Sequence, residues 1–170
     1  VWKRGKCRML KEDYLINGDT CAILSDFDNY GNEYSMVFEG EQKFLVMKSP
    51  NKIVEDSYIF RGFDLNGARN GARFILKRKK NVPVVYSLEP GIILIPCKTP
   101  DRRGKVWLIN SRICNIEPLG NELTTVHMFG GHTLTVKMKC KILQNMLIQC
   151  SFLLLTVLER TNINNMKFYF

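Results

Sequence analysis

From Tyr14 to Met138 the chain is cut into short apolar runs by Gly, Asn and Pro, and at Ile142 the pattern changes to a helical one. That switch of period constrains the fold most. Runs of three to eight residues between turn residues suit strands, because alternate side chains of a strand face opposite sides. Tyr34–Phe38 and Lys43–Met47 flank a short polar turn and predict a hairpin. Glu122–Phe129 and His132–Met138 predict another around Gly130-Gly131. Tyr14–Ile16 and Thr20–Leu24 flank Asn17-Gly18, a dipeptide suited to a tight hairpin turn, and predict a third. Val82–Tyr86, Ile92–Ile95, Val106–Ile109 and Ile113–Ile116 read as further strands. Lys52–Phe60 fits either a short helix or an extended run.

Apolar residues at 142, 143, 146, 147, 150, 153, 154, 157 and 158 repeat with the 3.6-residue period of an amphipathic helix, expected near Lys141–Arg160. Gln144, Asn145, Gln149 and Ser151 interrupt it, so a membrane span is not expected. Phe152 and Leu155 widen the stripe, leaving apolar surface for self-association or aggregation. The expected fold is a single α+β domain, rich in antiparallel strands and hairpins, with a C-terminal helix. Residues 1–8 are expected to be a basic leader, 9–140 the folded domain and 141–170 a helical tail.

The charge is concentrated. The chain carries 25 basic and 16 acidic residues, a net charge of +9. Between Arg61 and Arg112 there are twelve basic and three acidic residues, so this middle segment alone accounts for that excess while the flanks cancel. Such a segment points to an anionic partner, with nucleic acid first. Lys77-Arg78-Lys79-Lys80 is an uninterrupted run, and Lys98, Arg102, Arg103 and Lys105 form a second cluster on a loop expected to be flexible. Arginine on a loop suits a narrow A·T-rich minor groove, where the potential is most negative. No helix-turn-helix or zinc-finger spacing supports a recognition helix in the major groove.

Other chemistries find little support. Gly62, Gly67 and Gly71 do not make a triphosphate loop, because Ala68 stands where the lysine is needed. Three glycines in ten residues favour a compact loop or a short broken helix, which would bring Arg61, Arg69 and Arg73 close to a phosphate backbone. Six cysteines occur without a C-x-x-C pair and with only two histidines, so neither zinc nor any other metal or cofactor is expected, and the thiols are expected to be reduced. If Gly130-Gly131 is a two-residue turn, His127 and His132 lie on one surface face without a third ligand. No nucleophile-base set is visible, so an enzyme is not expected.

The order and spacing of several motifs resemble the ComK family of competence transcription factors of Gram-positive bacteria. The likeness starts at Tyr14–Thr20, continues through Gly62, Gly67 and Gly71, and runs through Pro83, Pro90, Pro96 and Arg102 to Trp107, covering about Tyr14 to Val136. The resemblance implies a cytoplasmic, nucleoid-associated activator of DNA-uptake genes. It implies a protein that binds A·T-rich double-stranded DNA boxes as a homo-oligomer, mainly through the minor groove. The family is also controlled by adaptor-directed proteolysis. From Lys139 the likeness fades, and the segment that would meet the adaptor is not evident, so that control is not expected here. The Asn, Ile, Lys, Phe and Tyr of the tail are residues of A/T-rich codons, a composition that out-of-frame reading would give. A non-functional truncated factor is therefore one alternative, and an RNA-binding β-rich module is another. The expected DNA contacts are Arg61, Arg69, Arg73, Lys77, Arg78, Lys79, Lys80, Arg102, Arg103 and Lys105. Arg69 and Arg102 are expected to enter a groove and the lysine run to meet phosphates.

Overall fold

A computed structural model describes residues 9–162, so the expected leader and the end of the tail lie outside the described residues. Strands β1 (Leu10–Lys11), β2 (Thr20–Phe27), β3 (Glu33–Glu39) and β4 (Gln42–Val46) come first. Helices α1 (Pro50–Phe60) and α2 (Leu65–Leu76) follow, then β5 (Val84–Ser87), β6 (Ile92–Lys98) and β7 (Lys105–Ile109). These seven strands form one sheet in the order β1-β4-β3-β2-β7-β6-β5, antiparallel except where β1 joins β4. A second sheet, ordered β10-β9-β8, contains β8 (Ile113–Leu119), β9 (Leu123–Met128) and β10 (Thr133–Val136). Helix α3 (Cys140–Thr161) closes the described chain. The α+β class expected from the sequence is what the structure shows.

Strand alternation divides the interior into two cores on either side of the large sheet. Ile23, Val37, Phe44, Leu94 and Trp107 face α1 and α2, meeting Ile53, Val54, Tyr58, Leu65 and Ala72. Ala22, Phe38, Ile93, Ile95 and Leu108 face the small sheet and α3, meeting Val126, Leu134, Val136, Leu143 and Met146. Leu153, further along α3, reaches the first core. At about 1.5–3 kcal/mol per fully buried large apolar side chain, Leu143, Met146 and Leu153 dock α3 firmly, with the smaller Cys150 buried among them. Among the described residues α3 is the one helix long and apolar enough to cross a membrane. Its outward side leaves Ile148, Phe152 and Leu155 exposed.

Three local expectations are corrected. The glycine segment is neither a loop nor a broken helix, because α2 runs unbroken through Gly67 and Gly71. Gly62, at φ 82°, ends the turn after α1, and the Asp64 carboxylate accepts from the Gly67 amide at 3.0 Å, capping α2. Burial of Leu65 and Ala72, with Ala68, Ile75 and Leu76 packed beside them, outweighs a propensity cost of about 1 kcal/mol per glycine. Tyr14–Ile16 is not a hairpin strand, since β2 pairs with β3 and β7. The Asn17 side chain accepts from the Asp19 amide at 2.9 Å and turns the chain, and the Tyr14 hydroxyl donates to Glu39 at 2.6 Å.

The β9–β10 turn is the third correction. His127 pairs with Thr133, which leaves three residues, Phe129 to Gly131, in the turn. One extra residue puts the two histidines on opposite faces. His132 is buried rather than on the surface; its ring stacks on Phe38 at 4.5 Å and its Nε2–H donates to the Gly40 carbonyl at 2.8 Å. His127 instead meets Thr133 and Glu117, each at 3.2 Å. Gly130 and Gly131 have φ of 85° and 77°, and a methyl on Gly130 would overlap the Gly40 carbonyl. The turn is therefore pressed against the β3–β4 turn, which accounts for the register.

Candidate nucleic-acid interface

Arg69 and Arg73 lie four residues apart on capped α2 and so share a face. Beneath them Trp107 is held in place by its indole N–H, which donates to Asn51 Oδ1 at 2.9 Å, and the Arg69 guanidinium lies 5.9 Å from the indole centre. Lys77 ends α2 in the left-handed conformation, φ 53°, and divides the basic run. Arg78 turns toward α3 and donates to Gln149 Oε1 at 2.7 Å. Lys79 and Lys80 continue to the wall opposite β6 and β7.

Lys98 and Lys105 are paired across the β6–β7 hairpin, whose loop is tightly tied rather than flexible. The Thr99 hydroxyl donates to Asp101 at 2.5 Å, and the Arg103 amide donates to the same oxygen at 3.0 Å. These bonds hold the Asp101 carboxyl below its ordinary pKa, so it remains an acceptor. The Gly104 amide donates to Thr99 Oγ1 at 2.9 Å. Gly104 also leaves no room for a side chain, since a Cβ there would lie 2.8 Å from both Ser25 Cβ and Thr99 Cγ2. Within this frame Arg102 is held at φ 63°, a left-handed conformation that costs an L-residue roughly 1–2 kcal/mol. Such a conformation persists where surrounding bonds impose it, as the Thr99, Asp101 and Gly104 bonds do here.

The result is a groove of about 600 Å³ between α2, the β6–β7 hairpin and the β10–α3 connection. Of the ten expected contacts, Arg69, Arg73, Lys79, Lys80, Arg102 and Lys105 line it. Four do not. Arg61 stacks on Tyr86 at 4.8 Å and donates to the Tyr86 carbonyl at 2.7 Å, joining α1 to β5. Arg103 lies over the Phe27 ring at 5.3 Å. Lys77 and Arg78, with exposed Phe74, line an adjacent shallow depression that shares Arg73 and Lys79 with the groove.

Lys98 joins the lining, and so do Lys137 and Lys139, which no local sequence signal singled out. The Lys137 amide donates to the Lys98 carbonyl at 2.9 Å, and the Thr124 hydroxyl donates to the Met138 carbonyl at 2.7 Å. The first bond brings the β10–α3 connection beside β6, and the second ties it to β9. Nine cationic side chains thus face one carboxylate, Glu122. Such a cluster repels itself until a polyanion neutralises it. Cys97 also lines the groove, but burial pushes its thiol up to about 12, and a neutral thiol is a poor nucleophile. Among the described residues no three His, Cys, Asp or Glu side chains are grouped to hold a metal. The arrangement is suited to binding an extended anion.

Comparison with known proteins identifies relatives of the chain. The chain is 23% identical over 142 residues to a competence transcription factor of Bacillus subtilis (strain 168), covering 84% of this chain and 73% of that protein. No solved structure matches the chain. The family description "ComK protein" matches residues 11–162, which takes in the whole groove and all of α3. With most of its length matched in this way, the chain belongs to the ComK protein family.

Proposed function

We propose that this protein is a competence transcription activator that binds A·T-rich duplex DNA mainly through the minor groove. The observation that carries the proposal is the convergence of nine cations on one groove against a single carboxylate. Arg102, on a loop closed by the Thr99, Asp101 and Gly104 hydrogen bonds, is the side chain we assign to enter a minor groove, whose negative potential is deepest over A·T tracts. Arg69 and Arg73 on α2, together with Lys79, Lys80 and Lys105, supply phosphate contacts. Its place of action is the nucleoid, and it needs no cofactor. Residues 9–140 carry the DNA contacts. Self-association uses the outward side of α3, where Ile148 is 69% exposed, Phe152 56% and Leu155 61%.

The test is a titration of A·T-rich duplex, G·C-rich duplex and structured RNA across a salt series. Preference for the A·T-rich duplex, abolished by a small-molecule minor-groove ligand, is the expected result. Preference for RNA would replace the duplex reading with the RNA-binding one, and salt-insensitive binding would remove the groove from the interface.

A further inference from the structure

The outward side of α3 carries a pattern that complements itself when reversed. Lys141, Asn145, Ile148, Phe152, Leu155 and Glu159 are all exposed and follow one another at intervals of four, three, four, three and four residues. That spacing keeps the six side chains on one stripe along the helix, opposite the buried Leu143, Met146, Cys150 and Leu153. The stripe is symmetric about position 150: Ile148 and Phe152 lie nearest to it, Asn145 and Leu155 further out, and Lys141 and Glu159 at the ends. Lys141 is in the first turn of α3 and Glu159 in the last, so each charge has the sign that the helix dipole disfavours at its end. A neighbouring helix of opposite direction offsets both, because it brings an acid to Lys141 and a base to Glu159. Exposed apolar surface of the kind between them marks a partner site.

We propose that two copies of this chain pair through α3 as an antiparallel, two-fold helix pair centred on residue 150. This rests on the self-association reading above and adds direction and register to it. Ile148 packs against the partner's Phe152, and Phe152 against the partner's Ile148, at the middle of the interface. Asn145 falls opposite the partner's Leu155. Lys141 meets the partner's Glu159 at one end, and Glu159 meets the partner's Lys141 at the other. A two-fold axis requires one patch to complement itself, which this stripe does. A parallel pair would instead set Lys141 against the partner's Lys141 and Glu159 against the partner's Glu159, and like charges opposed in this way repel. Because Lys139 and Ile142 line the groove at the start of α3, the antiparallel pair carries one groove at each end.

The test measures self-association of the full chain by sedimentation over a concentration series at low salt, without nucleic acid. Ile148→Ser with Phe152→Ser is expected to leave a folded monomer, since both side chains are exposed. Lys141→Glu alone, or Glu159→Lys alone, turns two attractive contacts into two repulsive ones. An exposed ion pair is worth roughly a factor of two, so either reversal is expected to weaken the dimer about tenfold. Combining the two reversals restores the dimer, and added salt shrinks all of these differences. Each reversal also suits the helix dipole, so loss of α3 does not account for a weaker dimer, and thermal unfolding checks this. In a parallel pair every one of these variants keeps like charges opposed, and affinity stays constant. Single reversals without effect, or a double reversal that fails to restore, therefore overturn the proposal while leaving α3 as the self-association face. A dimer that survives the serine replacements overturns both the proposal and that face. A chain that stays monomeric at every concentration removes self-association itself, and this inference with it.

Discussion

Replacing Gly71 by alanine is expected to stabilise the protein, contrary to the usual effect of changing a glycine in a tight segment. Gly71 is the seventh of the twelve residues of α2, and its φ is not positive. It is exposed, and a Cβ built on it meets no atom within 4 Å. The methyl therefore adds no strain. The variant gains the difference between alanine and glycine in a helix interior, roughly 0.5–1 kcal/mol, largely because the unfolded chain has less freedom to lose. For a chain of this size 1 kcal/mol raises Tm by about 2–4 °C, so the expected rise is about 1–4 °C. The midpoint of urea unfolding should rise with an unchanged dependence on denaturant, showing that only stability has altered. Gly71 does not line the groove, so duplex affinity at fixed salt should stay the same. A lower midpoint or a weaker helical circular dichroism signal would refute the reasoning. It would mean that residue 71 is not in helical backbone, and Arg69 and Arg73 would then lose the shared face on which the interface depends.

Gly104→Ala should act in the opposite sense, because its Cβ would lie 2.8 Å from Ser25 and Thr99. Overpacking of that kind costs about 1–3 kcal/mol and should weaken duplex binding by displacing Arg102, which denaturation and titration of the same sample would show. Lys79→Ala with Lys80→Ala should flatten the salt slope by about 1.8, whereas Lys77→Ala with Arg78→Ala should leave it nearly unchanged, the Arg78 partner being Gln149. Equal effects of the two pairs would refute the division of the basic run. Burial raises the thiols of Cys97 and Cys150 from 9.0 to about 12. Above pH 9 the unfolded chain loses protons that the folded chain retains, so stability falls as pH rises from about 9 to about 12. Below that range, thiol labelling of the native protein should reach exposed Cys114 long before these two.

Much of the fold was legible in local pattern. The hairpin of β3 and β4, the strands β5 to β10 and the helical stripe of α3 all follow from period and turn residues, because each rests on contacts close in sequence. Gly62, Gly67 and Gly71 misled, because glycine weakens a helix by an amount that tertiary burial of Leu65 and Ala72 outweighs, and burial is not written in the segment itself. The β9–β10 register was missed by one residue because the turn length is set by contact with Gly40, far away in the chain. The sequence by itself determined where the positive charge lies, since net charge needs only a count. Which charges act together was decided by the tertiary structure. Arg61 and Arg103 are occupied by aromatic rings, and Arg78 by Gln149. Lys137 and Lys139, well outside the basic segment, join the groove because the Lys137 amide bonds to the Lys98 carbonyl across the chain. Side-chain direction and long-range strand contacts set that grouping, and neither has a local signature.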